Sequence, residues 1–293
     1  MLPIRQGTDI PPPPVPMPAV QNPPLRDPSA DRALVYAVYA GDGTGFEQRL
    51  NEALAAGASL DATDDQGCGL LEIAVRVNSV AIAQVLLGKN ILLPVVRDDG
   101  FDVLMQAASN GNAEMIALLV DRGGMSVHTD DATGQTALHH AVKSGSADAV
   151  AALIARGADC NWAAFDINAQ ELGFIFGPHH QQDDDAITPL ALAVATRNLP
   201  IVKLLLDHGA ILHSGLHNPL WLAVRTQDAA IFGELLAHCA RKQLDSLLNE
   251  PLLYSLLTIN DQTALLRMFL EQRRYGNARP PNLEAALLTA ISL

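Results

Sequence analysis

Residues 136–141 read Thr-Ala-Leu-His-His-Ala, and Gly157-Ala158-Asp159 follows about twenty positions later. Similar copies lie on both sides of this stretch, one about every 33 residues. Self-similarity at this period is the signature of a solenoid, in which neighbouring units stack and bury a shared core. Since solenoids mostly bind other macromolecules, the stretch predicts an elongated binding protein rather than an enzyme.

The leucine of the short motif recurs and sets the register of the repeats. It stands at Leu34, Leu71, Leu104, Leu138, Leu190, Leu220, Leu252 and Leu287. Three positions after each of these markers comes a small residue, Ala in every copy but one, where it is Ser255. A small side chain there lets two helices approach closely, so each unit is predicted to contain a tightly packed helix pair.

Capping residues mark the ends of the first helix in each unit. The helix is predicted to begin at an N-cap candidate: Thr136, Thr188, Asn218 or Glu250. Thr and Asn accept a hydrogen bond from an orphan amide, and three of the four copies have proline directly afterwards, where its missing N–H costs nothing. The end is predicted at glycines that can adopt the left-handed conformation: Gly41, Gly111 and Gly145.

This pattern resembles the ankyrin repeat. The likeness is strong over 129–161, good over 98–125 and 187–212, and degenerate over 31–62 and 240–293. The Gly-Ala-Asp ending and the Asp-rich turns favour this family over other helix-pair solenoids. The resemblance implies an all-α solenoid of about seven helix-turn-helix units with degenerate terminal repeats. It also implies protein–protein interaction through the concave groove and the fingers, which are the turns between units.

Residues 1–30 hold ten of the eighteen prolines. They are predicted to form a disordered proline-rich tail ahead of an ankyrin-repeat domain at 31–293. The run Ile10-Pro11-Pro12-Pro13-Pro14-Val15-Pro16 favours polyproline II and cannot join a helix stack. Two further roles stay open for it: a ligand for a proline-recognising domain, or a leader for export without an apolar signal.

The gap between Leu138 and Leu190 contains about 19 extra residues, predicted as an inserted loop at about 164–186 in a finger. The loop holds three phenylalanines, among them Phe165, and five acidic residues without Lys or Arg. It either binds a partner or folds its phenylalanines back onto the stack. His179 and His180 near Asp183 have the chemistry of metal ligands, but a loop gives them no fixed geometry. We therefore expect no metal and no cofactor.

Charge and composition narrow the partners. The formal net charge of −13 opposes binding to nucleic acid and to anionic membranes and favours a basic protein partner. No apolar run has the length of a membrane span, and the N-terminus lacks a secretory signal pattern. Three widely spaced cysteines indicate a reducing compartment. We expect a cytoplasmic monomer, and the excess of Arg over Lys is typical of GC-rich bacterial coding.

The sequence contains no P-loop, Gly-x-Ser-x-Gly or His-Glu-x-x-His motif. The candidate site residues are therefore partner-binding ones, and they are chosen by their register in the repeat and by the resemblance. On the concave face they are Gln106, Ser109, Asn110, His140, Lys143 and Ser144. In the fingers they are Asp98, Asp99, Asp131 and Thr133, and in the insertion they are Phe174, Phe176, Asp183, Asp184 and Asp185. His139 is expected to be structural, because the resemblance gives it a hydrogen bond within the turn.

Three functions are consistent with these residues. The first is an intracellular adaptor or inhibitor, such as an immunity-type protein that neutralises a basic toxin. The second is a bacterial effector that is secreted and binds host proteins. The third is a metal-dependent enzyme built on the insertion.

Overall fold

The computed structural model describes residues 28–89, 91, 99–164, 187–212 and 218–238. Within these ranges the chain forms twelve α-helices and no strand, and three isolated antiparallel bridges close the fingers. The helices are α1 Pro28–Tyr39, α2 Phe46–Ala55, α3 Leu70–Arg76, α4 Val80–Gly88, α5 Val103–Ser109, α6 Ala113–Asp121, α7 Ala137–Ser144, α8 Ala147–Ile154, α9 Pro189–Ala195, α10 Leu199–Asp207, α11 Pro219–Arg225 and α12 Ala229–His238.

Successive helices pair, and the pairs stack. Each odd-numbered helix contacts the even-numbered helix that follows it, and also the odd-numbered helix of the next pair. The even-numbered helices stack in the same way, so two layers enclose one continuous core. All six marker leucines in this range are buried. The all-α solenoid is thus confirmed, with six units, or repeats, in the described part of the chain.

Local sequence explains where the first helices begin. The side chain of Thr188 accepts a hydrogen bond from the amide of Ala191 at 3.3 Å, and Asn218 accepts one from Leu220 at 2.9 Å. Both are followed by a proline within the first helical turn, as predicted. In the third repeat the cap is Asp102, which accepts from Met105 at 2.8 Å. These bonds satisfy amides that have no partner inside the helix.

The turn inside each helix pair interlocks with its neighbour. Ser79 donates to the carbonyl of Gly41 at 3.0 Å, Ser146 to that of Gly111 at 2.9 Å, and Asn198 to that of Gly145 at 3.2 Å. The three acceptor glycines have φ between 67° and 76°, which confirms the predicted left-handed ends. The N-cap side chain of one repeat therefore fixes the turn of the repeat before it.

Other expectations lie partly beyond the described residues. The first helix begins at Pro28, whereas residues 1–27 lie outside the described ranges, as do Asp98, residues 165–186 and the units marked by Leu252 and Leu287. No helix in the described ranges is both long and apolar enough to cross a bilayer.

Candidate functional site

Two register positions of the odd-numbered helices correspond to the predicted concave face. These groove positions lie two and five residues after the marker leucine: Tyr36 and Tyr39, Ile73 and Arg76, Gln106 and Ser109, His140 and Lys143, Leu192 and Ala195, Leu222 and Arg225. In α5 and α7 all four groove residues are polar and at least partly exposed. These predicted residues of the third and fourth repeats are therefore accessible, and they lie on two helices that pack against each other.

His140 joins the third and fourth repeats. Its Nε2 donates to Asp131 Oδ2 at 3.0 Å, its Nδ1 lies 3.4 Å from the hydroxyl of Ser109, and its ring meets the edge of Phe101 at 5.2 Å between centroids. Burial lowers the pKa of His140 below its usual value, although the Asp131 carboxylate opposes that shift. The ring is therefore neutral at pH 7, and it acts as a hydrogen-bonded spacer between two fingers and two helices.

Asp131 supports its finger from inside. Its carboxylate accepts from the amide and the hydroxyl of Thr133 at 2.9 and 2.5 Å, and from the amide of Gln135 at 3.0 Å, in addition to His140. Burial raises the pKa of Asp131, but these hydrogen bonds outweigh burial and hold it below its usual value. Its side chain is 10% exposed, so Asp131 and Thr133 shape the finger rather than project from it.

The fingers of the third and fourth repeats are bonded to each other. The amide of Ala132 donates to the carbonyl of Asp99 at 2.8 Å, and the carboxylate of Asp99 accepts from the amide of Phe101 at 3.0 Å. Gly100, with φ of 75°, leaves no room for a Cβ, which would lie 2.9 Å from Asp131 Cα. Asp99 and Asp130 remain exposed on this paired rim. The rim is therefore a rigid, acidic edge of the groove.

Two of the remaining predicted groove residues, Asn110 and Ser144, are exposed and also make hydrogen bonds within the stack. Asn110 donates to the carbonyl of Val75 at 2.9 Å and accepts from Gln106 at 3.2 Å, which ties the third repeat to the second. Ser144 donates back to Ala141 at 2.8 Å. Gln106 and Lys143 are half-buried and Ser109 is exposed. These three side chains and the two rim carboxylates form what we call the groove surface: Gln106, Ser109, Lys143, Asp99 and Asp130.

The inserted loop begins and ends at a finger. Ala164 and Ile187 exchange two backbone hydrogen bonds, of 3.0 and 2.8 Å, in the same kind of bridge that closes the fingers at Thr63–Gly69 and Asp130–Thr136. The insertion therefore lies between two residues that form a finger-type bridge. The insertion candidates, from Phe165 and Phe174 through His179 and His180 to Asp185, lie outside the described residues.

His139 ties the fourth repeat to the end of the insertion. Its Nδ1 accepts from the amide of Thr136 at 3.2 Å, and its Nε2 donates to the carbonyl of Ile187 at 3.2 Å. The ring has no exposed surface, and burial lowers the pKa of His139 to about 4. The residue is neutral and structural, as the sequence predicted.

Reactive groups in the described ranges are held in unreactive forms. Burial raises the pKa of Cys68 and of Cys160, so neither is a ready thiolate at pH 7. Nor do the described residues contain a cluster of three His, Cys, Asp or Glu side chains arranged to hold a metal ion.

Sequence reasoning missed the aromatic residues of this face. Tyr36 and Tyr39 occupy the groove positions of the first repeat, and Trp162 donates to the carbonyl of Gly134 at 3.0 Å and so holds the fourth finger. The register that selected His140 and Lys143 also selects both tyrosines, so the signal was present in the degenerate first unit.

Comparison with known proteins agrees with this geometry. An ankyrin-repeat family model with three copies matches residues 71–164, and a single ankyrin-repeat model matches 186–214. Among solved structures, the chain is similar to the ankyrin repeat domain of Bcl-3, described as a unique member of the IkappaB protein family. The two share 22% identity and a TM-score of 0.61, over 80% of this chain and 97% of that chain. The likeness to Bcl-3 establishes the fold.

Proposed function

From the premise that this chain is an ankyrin-repeat protein, we propose that it binds a partner protein, without catalysis, at the groove surface of the third and fourth repeats. The bonded fingers support this most directly. The Ala132–Asp99 hydrogen bond and the His140 contacts fix two fingers and two helices relative to one another. A surface that is already ordered loses little conformational entropy when a partner docks, so more of the contact energy appears as affinity.

The charge of the chain supports a basic partner. The exposed carboxylates of Asp99 and Asp130 lie on the rim, and the chain as a whole has a net charge of −13. Such a field accelerates encounter with a basic surface and slows encounter with an acidic one. The partner is a protein with a basic face, and the chain acts on it as a cytoplasmic monomer of the inhibitor or immunity type.

The test removes the charge of the rim and keeps the hydrogen bond between residue 99 and the amide of Phe101. In Asp99→Asn with Asp130→Asn, the amide oxygen at position 99 still accepts the Phe101 hydrogen bond, while two charges are lost. The matched control, Glu114→Gln with Asp148→Asn, removes two exposed charges from the even-numbered helices. The partner protein captured from lysate should associate several-fold more slowly with the rim variant than with the wild type or the control variant. Added salt should reduce this difference in association rate. Equal rates for both variants would contradict the proposal.

The insertion is proposed as a second contact, and the regular fingers supply its control. Residues 165–186 are replaced by the five residues Asp-Ala-Thr-Gly-Gln of 131–135, which span an equivalent bridge. If Phe174, Phe176 and Asp183 to Asp185 contact the partner, this exchange weakens binding while the bridge at Ala164 is kept. Unchanged affinity would show that the insertion does not contact the partner. The proposal for the groove surface would not be affected, because the rim variant tests it separately.

A further inference from the structure

The groove ends at the first repeat in an aromatic pocket. Tyr36 is 67% exposed and Tyr39 is 39% exposed, and the two lie three positions apart on one face of α1. Opposite them, the first finger at residues 63–66 forms the other wall of a cavity of about 360 Å³. Three large hydrophobic side chains are exposed in the described part of the chain, and two of them are these tyrosines. Exposed aromatic rings that line a cavity indicate a binding site.

The pocket is held open by hydrogen bonds. The hydroxyl of Tyr39 donates to Asp64 Oδ2 at 2.5 Å, and Asp64 also accepts from the amides of Gln66 and Cys68, both at 2.8 Å. Because the same carboxylate anchors the finger and the tyrosine, the two walls keep their separation. A ligand would enter a formed cleft between α1 and the finger rather than create one.

The chemistry of the walls selects an extended, proline-rich ligand. Polyproline II segments are recognised in grooves lined by aromatic side chains, and Tyr36 and Tyr39 supply such side chains here. Such a segment is already extended before binding, so little entropy is lost on docking. The cleft lacks the net positive charge that an acidic peptide or a phosphate needs, since Arg32 shares the lining with Asp31, Asp64 and Asp65.

The chain itself supplies such a segment at the mouth of the pocket. Pro28, the first described residue, belongs to the lining, so the residues that precede it in the chain are connected to the fold beside the pocket. Tyr36 lies about 12 Å along α1 from Pro28 at 1.5 Å per residue. The spacer 19–27 can extend to about 30 Å, which is enough for residues 10–18 to turn back and reach both tyrosines. A tether of this length gives an effective concentration in the millimolar range.

We propose that residues 10–18 of the same chain dock as a polyproline II segment in the Tyr36–Tyr39 pocket. Docking covers the first-repeat end of the groove and leaves the groove surface of the third and fourth repeats open. The occupant is therefore the tail in cis, not a proline-rich partner and not the tail of a second copy.

Hydroxyl-radical footprinting of the full chain tests this docking. In one variant the six prolines of the segment (Pro11, Pro12, Pro13, Pro14, Pro16 and Pro18) are replaced by alternating Gly and Ser. The oxidation rate of Tyr36 should rise several-fold in this variant, whereas the rate at Trp162 should stay constant. The control, Pro23→Ser with Pro24→Ser, alters prolines outside the segment and should leave Tyr36 protected. Equal Tyr36 rates in wild type and in the six-proline variant would overturn the proposal.

Two additions separate cis docking from its alternatives. A synthetic peptide of residues 8–20 should restore protection of Tyr36 in the six-proline variant. Protection of the wild type should persist on dilution, since a tethered ligand does not depend on concentration. Protection that is lost on dilution would assign the pocket to another copy and overturn docking in cis.

Discussion

The fourth and fifth repeats lie side by side with the same backbone plan, yet they present different surfaces to the groove. At the groove positions α7 has His140 and Lys143, both partly exposed, while α9 has Leu192 and Ala195, both buried. Five residues separate the bridge partners Asp130 and Thr136, whereas 22 separate Ala164 and Ile187. Register therefore fixes where a side chain lies but not its surroundings: the same position in the repeat is partly exposed in one unit and buried in the next.

The largest expected effect comes from truncating the groove positions of the two repeats. Leu192 has no exposed surface, so Leu192→Ala should lower the free energy of unfolding by about 3–4 kcal/mol through lost burial and a cavity. Lys143→Ala at the fourth repeat should change it by less than about 0.5 kcal/mol, as at most surface sites. Urea denaturation followed by circular dichroism measures both. Similar costs at the two positions would break the comparison.

His139, which bonds the fourth repeat to Ile187 of the fifth, makes the stability of the chain depend on pH. His139 is neutral in the folded chain, with a pKa of about 4, whereas an unfolded histidine has the ordinary value of 6.5. Between these values the unfolded chain binds a proton that the folded chain does not. The stability contributed by the neutral ring is fully present above pH 6.5 and is lost as the pH falls toward 4. The loss between pH 7 and pH 5 should be about 2 kcal/mol.

His139→Asn isolates this contribution. The variant should be less stable than the wild type at pH 7, because the hydrogen bond to Ile187 is weakened or lost. It also lacks the titrating imidazole. Its free energy of unfolding should therefore vary less between pH 7 and pH 5 than that of the wild type, by about 2 kcal/mol. The same slope in both proteins would show that the acid sensitivity arises elsewhere.

Much of this fold could be predicted from the sequence because the same residue pattern recurs in each repeat. The marker leucines, the Thr188 and Asn218 caps and the left-handed Gly41, Gly111 and Gly145 are set by local chemistry, which needs no knowledge of neighbours. The candidate site was less predictable. Asp99 and Asp131 are the same residue type in neighbouring fingers, yet Asp99 is exposed and Asp131 is turned inward by Thr133, Gln135 and His140.

Contacts between repeats explain what sequence reasoning could not supply. The Ala132–Asp99 bond, the edge of Phe101 against His140 and the closing of the Tyr36 pocket by a finger all join residues of different units. A single sequence shows the units but not which atoms of adjoining units meet. The burial of Leu192 also depends on contacts between repeats. The sequence shows an apolar residue where other repeats have a polar one, but only the packing shows that this residue is buried.

The smallest effect tests the backbone that the two repeats share. The inner turn of the fourth repeat uses Gly145 at φ of 76°, and that of the fifth uses Arg197 at φ of 56°, where a side chain is strained. Arg197→Gly should therefore raise the free energy of unfolding by about 0.5–1 kcal/mol, whereas Arg197→Ala removes the same side chain but keeps the Cβ and should give no gain. Gly145→Ala should lose about 1 kcal/mol, since its new Cβ would meet only Asn198 at 3.7 Å and suffer from conformation alone. Thermal unfolding of the three variants measures these changes. Opposite signs for Arg197→Gly and Gly145→Ala would mean that the two repeats share the same left-handed turn. A gain from Arg197→Ala as large as that from Arg197→Gly would assign the effect to the arginine side chain instead.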